Sequence, residues 1–315
     1  MTLIKPFAEL TKGDAAIAGG KGASLGEMTR AGIPVPPGFV VLAQAFDRFL
    51  EETDLTQEVE AELNRVNAED IASVERASRV LHALILNAKF PDDLTQEVTQ
   101  SFETLGAEFV AVRSSATAED SSAASWAGEL ESYLNTTNAT LIENIKKCWA
   151  SLFTPRAIVY RNEKGLRATH VAVAVVVQKM VQSEIAGITF TVHPVTEDPN
   201  QMIIEACWGL GEMIVGGMVT PDAYVIDKRD GTLIDVNVSS QEKMLVRGTN
   251  GNEFVPIGPD KQEAQKIGAS QIRALGDICM RIEKHYGFPC DIEWAMEKGE
   301  FFIVQSRPIT TLMNK

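Results

Sequence analysis

Asp291-Ile-Glu-Trp-Ala-Met-Glu-Lys-Gly-Glu-Phe-Phe-Ile-Val-Gln-Ser-Arg-Pro-Ile-Thr310 reads as two short strands joined at Lys298-Gly299-Glu300. A glycine in a short gap between two alternating runs is a hairpin signal. Side chains alternate along a strand, so Asp291, Glu293 and Ala295 share one face and Ile292, Trp294 and Met296 the other. In the second strand Phe301, Ile303, Gln305 and Arg307 alternate with Phe302, Val304 and Ser306. A loop of three residues sets Glu293 opposite Gln305 and Asp291 opposite Arg307, all on one face. A loop one residue longer separates the pairs. We expect the first register.

That face would gather a carboxylate, an amide oxygen and a guanidinium. Mg²⁺ takes hard oxygen ligands and leaves most of its shell to phosphates and water. A neighbouring arginine presents a fork of donors matched to phosphate. The plain alternative is an edge hairpin whose charges only face solvent. Gln305 and Arg307 interrupting an otherwise apolar strand argue for the site.

The chain has 315 residues, 45% of them hydrophobic, enough for two domains. The texture changes near residue 182. We expect an α/β lobe with a helical block over 1–182 and a β-rich lobe over 183–315. A formal net charge of -14 excludes nucleic acid and anionic membrane as favoured partners. ATP remains compatible, because charge beyond about 8 Å is screened at physiological salt. Its phosphates would need local Lys, Arg and a metal. Cys148, Cys207, Cys279 and Cys290 show no CxxC spacing, and Met1-Thr-Leu-Ile-Lys-Pro has no signal-peptide character. Reduced thiols in a cytoplasmic protein are expected. No apolar run reaches the ~18 residues of a membrane span.

Residues 23–30 read as a short helix stopped by Gly32 and the Pro34-Val-Pro-Pro37 run, followed by a strand at 38–42. Asp70 can cap a helix carrying Ile71, Val74, Leu81, Leu84 and Ile85. Pro91 starts another with Leu94, Val98, Phe102 and Leu105 on one stripe. Strands are expected at 109–112, 171–177, 188–192, 202–205 and 223–226, and one long helix over about 262–286.

Lys21 lies in a glycine-flanked turn at a helix start, where backbone, helix dipole and lysine could all meet phosphate. It is not a P-loop, because Ala15 replaces the first glycine and Gly22 follows the lysine. A solvated surface lysine is the plain alternative. Arg113 with Ser114, Ser115 and Thr117 ends a buried strand, and residues 118–127, small and polar before Gly128, suit a mobile lid. The alternative is an ordinary surface loop. Gln178 ends the 171–177 strand, where an adenine edge could meet it, with Val177, Met180 and Val181 covering the ring. Glu205 and Glu212 flank Cys207-Trp-Gly-Leu-Gly211, a turn with room for a ribose or phosphate. His82, His170, His193 and His285 are scattered, and neither a catalytic triad nor zinc spacing emerges.

Five segments match one family in order. They are Gly19-Gly-Lys-Gly-Ala-Ser-Leu-Gly26, Val112-Arg-Ser-Ser-Ala-Thr-Ala-Glu-Asp120, Gln178-Lys-Met-Val181, the stretch from Glu205 to Asp222, and the hairpin from Asp291 to Thr310. Together they resemble the nucleotide-binding domain of phosphoenolpyruvate synthase and pyruvate phosphate dikinase, a domain shared with rifampicin phosphotransferase and the ATP-binding subunit of phenylphosphate synthase. The resemblance covers nearly all of the chain. It implies an α+β, two-lobed ATP-grasp-like fold with ATP between the lobes. It also implies that Lys21, Arg113 and Arg307 contact phosphates as the catalytic cations, and that Gly128 and Ser132 lie in the phosphate-covering segment. Gln178 would meet the adenine, and Glu293 and Gln305 would hold Mg²⁺. In that family ATP phosphorylates a histidine on a mobile domain, which then delivers phosphate to a substrate.

This chain departs from the pattern in three places. No Thr-Ser-His or Thr-Cys-His carrier motif occurs, so the acceptor histidine is expected on another polypeptide. Glu129 and Glu131 stand where a glutamine-rich pattern is expected, bringing negative charge near the phosphates. Ala186-Gly187 replaces Ser-Gly. Two rivals remain open: a non-catalytic nucleotide-binding module, and an ATP-grasp ligase that activates a carboxylate.

Overall fold

The computed structural model describes residues 2–117, 131–164, 172–249 and 251–309. The lid reading for 118–127, Gly128, Glu129 and His170 all lie outside the described residues. The chain divides into two compact units, Met1–Glu27 with Pro37–Met180 and Met28–Pro36 with Val181–Lys315. It therefore passes from one to the other at 27/28, 36/37 and 180/181.

The first unit is built on strands β1 (Ile4–Pro6), β2 (Gly38–Val41), β3 (Val110–Ala116), β4 (Ser132–Thr136) and β5 (Val173–Lys179), in the order β1-β2-β5-β3-β4 with every neighbour antiparallel. The valine-rich β5 lies in the middle because it can be buried on both faces. Helices α1 (Ala15–Arg30, of which the part from Met28 belongs to the second unit), α2 (Ala43–Glu52), α3 (Thr56–Asn64), α4 (Ile71–Asn87), α5 (Asp92–Leu105), α6 (Asn138–Ala150) and α7 (Pro155–Glu163) complete the helical complement. One sheet face packs on helices: Ser114 Oγ reaches Cys148 O of α6 at 3.3 Å, and Trp149 joins Phe46, Phe49 and Phe90 at ring separations of 5.0–5.4 Å. The other face carries Arg113, Ser115, Val176 and Gln178, with Gly22 of α1 packed on Val40.

The second unit holds β6 (Ile185–Phe190), β7 (Gln201–Trp208), β8 (Asp222–Asp227), β9 (Leu233–Asn237), β12 (Cys290–Glu297) and β13 (Glu300–Pro308) in one antiparallel sheet, β13-β12-β6-β7-β8-β9. A separate hairpin pairs β10 (Lys243–Gly248) with β11 (Gly251–Pro256), and α8 (Glu212–Val215), α9 (Pro259–Gln262) and α10 (Ala269–Tyr286) are its helices. The face carrying Ile204, Tyr224, Ile292 and Trp294 packs against α10, whose Ile272, Leu275, Cys279 and Ile282 are buried. Gly187 is required there, since a Cβ would lie 2.4 Å from the Trp294 ring.

Several local expectations change. β3 runs through Arg113-Ser-Ser to Ala116, well past the expected end at 112, because it pairs with β5 along its whole length. Ile71 is 75% exposed, outside the stripe of α4, because it directly follows the Asp70 cap, whose side chain accepts from Ala72 N–H. The long helix expected from 262 starts at Ala269, after a segment held by Lys266. Lys266 N–H and Nζ donate to the two carboxylate oxygens of Asp222 at 2.9 and 2.8 Å, with both side chains fully buried.

The β12–β13 hairpin has the expected pairing by a different route. Asp291 faces Arg307 and Glu293 faces Gln305, yet the turn has two residues, Lys298 and Gly299, with φ of 53° and 83°. Two positive φ values define a type I′ turn, matched to strand twist. A bulge restores the register: Glu293 pairs with Gln305 but Trp294 pairs with Ile303, so Val304 is the extra residue. The expected face shared by Phe301, Ile303, Gln305 and Arg307 is therefore split. Phe301 and Ile303 stand with Met296 and Trp294, while Gln305 and Arg307 stand with Glu293 and Asp291. Pro34 O covers the outer edge here, accepting from Ile303 N–H at 2.8 Å.

Candidate functional site

In the second unit the bulge builds a polar row across the sheet. Glu205 is opposite Ile188, Ile188 opposite Glu293, and Glu293 opposite Gln305. Directly opposed residues share a face and adjacent strands lie about 4.8 Å apart, so the Glu293 carboxylate and Gln305 amide are neighbours. In the next row Arg307 Nε and Nη2 both donate to Asp291 Oδ2, at 2.8 and 2.7 Å. Burial pushes the Asp291 carboxyl above the usual range, Arg307 opposes this, and Glu293 adds to it. Burial, and then Asp291, push Glu205 up as well. Three carboxylates on one partly covered face, offset by a single arginine in the next row, suit a bound cation. Among the described residues no three His, Cys, Asp or Glu converge to hold a metal alone. The Glu293–Gln305 pair offers the two hard oxygens that Mg²⁺ needs when phosphates and water fill the rest of its shell.

In the first unit Arg113 sits opposite Val176 on one side and Ser132 on the other. Gln178, two residues along β5 from Val176 and opposite Ala111, shares that face. The Gln178 side chain is 2% exposed, and its amide nitrogen has no hydrogen-bond partner. An unsatisfied buried donor costs about 1–3 kcal/mol, which an acceptor on a nucleotide base would recover. Met180 N–H donates to Phe109 O and Lys179 N–H to Pro37 O, so those two donors are committed within the fold. Val181, buried, begins the second unit. At the start of α1, Gly19 is non-helical (φ 67°, ψ 170°), and the helix proper continues with Lys21 in its first turn. Burial pushes the Cys148 thiol up to about 12, and Lys21 is among the groups opposing that rise, which puts its charge near β3 and α6.

A model described as pyruvate phosphate dikinase, AMP/ATP-binding domain, matches residues 15–315. The chain belongs to that family. This AMP/ATP-binding domain is 44% identical, over 99% of its length, to a probable phosphoenolpyruvate synthase of Methanocaldococcus jannaschii, covering 27% of that protein. It is 42% identical over 97% of its length to a probable phosphoenolpyruvate synthase of Methanothermobacter thermautotrophicus, covering 46%. To the rifampicin phosphotransferase of Bacillus subtilis it is 39% identical over 99%, covering 36%. The chain thus spans 27–46% of the length of these relatives. No described helix is long and apolar enough to cross a membrane.

Other residues singled out from the sequence have partners within the AMP/ATP-binding domain itself. Within the 207–211 turn, Gly209 lies against the chain's own backbone, where a Cβ would meet Leu245 O at 2.4 Å. Glu212 accepts from Asn252 Nδ2. The exposed Glu131 accepts from the Tyr133 hydroxyl, and its main-chain carbonyl accepts from Ser114 N–H. His193 Nδ1 accepts from the N–H groups of Val195 and Thr196, closing a turn. Sequence reasoning passed over the Asp222–Lys266 pair, whose partners are 44 residues apart, and the connections of Ser115. Neither carries a local pattern.

Proposed function

We propose that this chain binds Mg-ATP and passes a phosphoryl group to the side-chain nitrogen of a carrier histidine outside this sequence, as part of a phosphoenolpyruvate-synthase-like phosphotransferase. The observation that carries this reading is the sheet face on which Glu293 and Gln305 adjoin while Asp291 holds Arg307 beside them. Glu293 and Gln305 would hold Mg²⁺, which supplies charge neutralisation at the phosphates when bound. Arg307, Lys21 and Arg113 would meet the phosphate oxygens, and Ser132 lies opposite Arg113 to assist. Gln178, Met180 and Val181 would take the base, with Glu205 toward the ribose. The buried, unsatisfied Gln178 amide supports that assignment. Transfer forms an N–P bond as a P–O bond of ATP breaks, and catalysis of this type is positioning plus electrostatic stabilisation. Membership in the AMP/ATP-binding family supports an ATP-grasp-like fold and this chemistry. Four buried cysteines, none in a disulfide, support a cytoplasmic setting.

The test is nucleotide titration of Glu293→Ala and Arg307→Ala with and without Mg²⁺. Glu293→Ala is expected to lose the metal dependence of ATP binding. Arg307→Ala should weaken ATP binding and cost on the order of 2–4 kcal/mol of transition-state stabilisation in transfer, by analogy with other donors to developing oxyanions. Unchanged affinity and metal dependence in both variants would end the assignment. Incubation with β- and γ-labelled ATP and candidate partner proteins then reads the acceptor. A labelled histidine supports transfer, and binding without any labelled partner favours a nucleotide-sensing module instead.

A further inference from the structure

We infer that Ser115 is a positioning residue for Lys21, and that it acts by taking the place of one main-chain hydrogen bond of α1. This rests on the reading above that Lys21 meets the phosphates. In an uninterrupted helix Gly22 N–H would donate to Ala18 O, four residues back. Here the Ser115 hydroxyl stands between them. It accepts from Gly22 N–H at 3.3 Å and donates to Ala18 O at 3.0 Å. A side chain inserted into the helical ladder is a direct cause of a break, and the residue between the two ends, Gly19, is the one with φ 67° and ψ 170°.

The turn is built for this insertion from both sides. A Cβ on Gly19 would lie 2.2 Å from Ser115 Oγ and 2.4 Å from Ser115 O, so only glycine lets the opened turn lie against β3. Ser115 is fully buried, and a hydroxyl is a small group that can donate and accept at once. Arg113 stands two residues earlier on the same strand and the same face. One hydroxyl therefore ties the turn that carries Lys21 to the strand that carries Arg113. Without it, Gly22 N–H and Ala18 O can bond each other, α1 can close through residues 18–22, and Lys21 turns with it.

Ser115→Ala is the direct test, with the ATP and adenosine affinities of the full chain measured side by side. ATP binding should weaken by about tenfold, as expected for a lost buried hydrogen-bond network and a displaced charge, while adenosine affinity stays the same. In a Lys21→Ala background the same change should have no further effect on ATP. Equal losses for ATP and adenosine, an unchanged ATP affinity, or a loss that adds in full to that of Lys21→Ala would each overturn the role. Gly19→Ala, which attacks the turn from the other side, should reproduce the ATP-selective loss and serves if Ser115→Ala folds poorly. If the parent chain binds no nucleotide, the functional reading itself falls. Amide hydrogen exchange over residues 18–22 still judges the insertion in that case. Exchange should slow in Ser115→Ala as the helix closes, and an unchanged pattern rejects it.

Discussion

Glu205 stands in the same cross-sheet row as Glu293, and burial followed by the Asp291 charge raises its carboxyl above the usual range. A carboxyl whose folded value is raised contributes stability that is present below the unfolded value and lost as pH rises through the folded one. As pH rises toward neutrality the buried Glu205 carboxyl, held against the Asp291 charge, therefore weighs against the ligand-free fold. Glu205→Gln should melt above the parent at pH 7, by at most a few degrees given solvent screening, with the gap closing near pH 4. Melting curves of both proteins across that range are the check, and a gap that widens in acid would refute it. Gln305 and Arg307 stood out in the sequence because each interrupts an otherwise apolar strand, and Glu293 because it alternates with Ile292 and Trp294. Ser115 did not. Its partners Ala18 and Gly22 lie 97 and 93 residues away, and one buried serine next to another leaves no periodic trace.

At the scale of the element, the β12–β13 hairpin shows how a right pairing can be reached through a wrong loop. Alternation and one glycine suffice to place two strands and their polar face. They do not separate a three-residue loop from a two-residue turn followed by a bulge, because both shift the register by one. The difference is in the side chains: the bulge at Val304 sends Ile303 to the α10 side while Gln305 stays with Glu293. Gly299 has φ 83° and nothing within 4 Å of its missing Cβ, so substitution there meets a backbone cost alone. Gly299→Ala should lower stability by about 1 kcal/mol. A urea midpoint that falls with an unchanged slope would confirm it, and an unshifted midpoint would contradict the turn type. Helices capped by Asp70 and begun after Pro91 were legible because their stripes are long. The β10–β11 hairpin was not among the expected strands, since both of its strands are mostly uncovered and show no apolar face.

For the molecule as a whole, the thiols report on each unit separately. Cys148 belongs to the first unit, and Cys207, Cys279 and Cys290 belong to the second. Burial pushes all four up to about 12, so none should react with a thiol reagent at pH 8 while the chain is folded. Asp222→Ala leaves Lys266 buried without its carboxylate, which typically costs about 3–5 kcal/mol. In that variant the three thiols of the second unit should become reactive at lower denaturant than Cys148, read by peptide mapping after alkylation. Simultaneous labelling of all four would mean that the two units unfold as one. Pro34 matters beyond its own turn. Its carbonyl satisfies the amide of Ile303 on the outermost strand, although the two lie 269 positions apart in the chain. A truncated gene product starting at Val181 would be born with that amide bare beside Phe301 and Phe302, a ready seam for aggregation. Anyone dissecting this chain must therefore carry 28–36 along, and no single cut yields both halves intact.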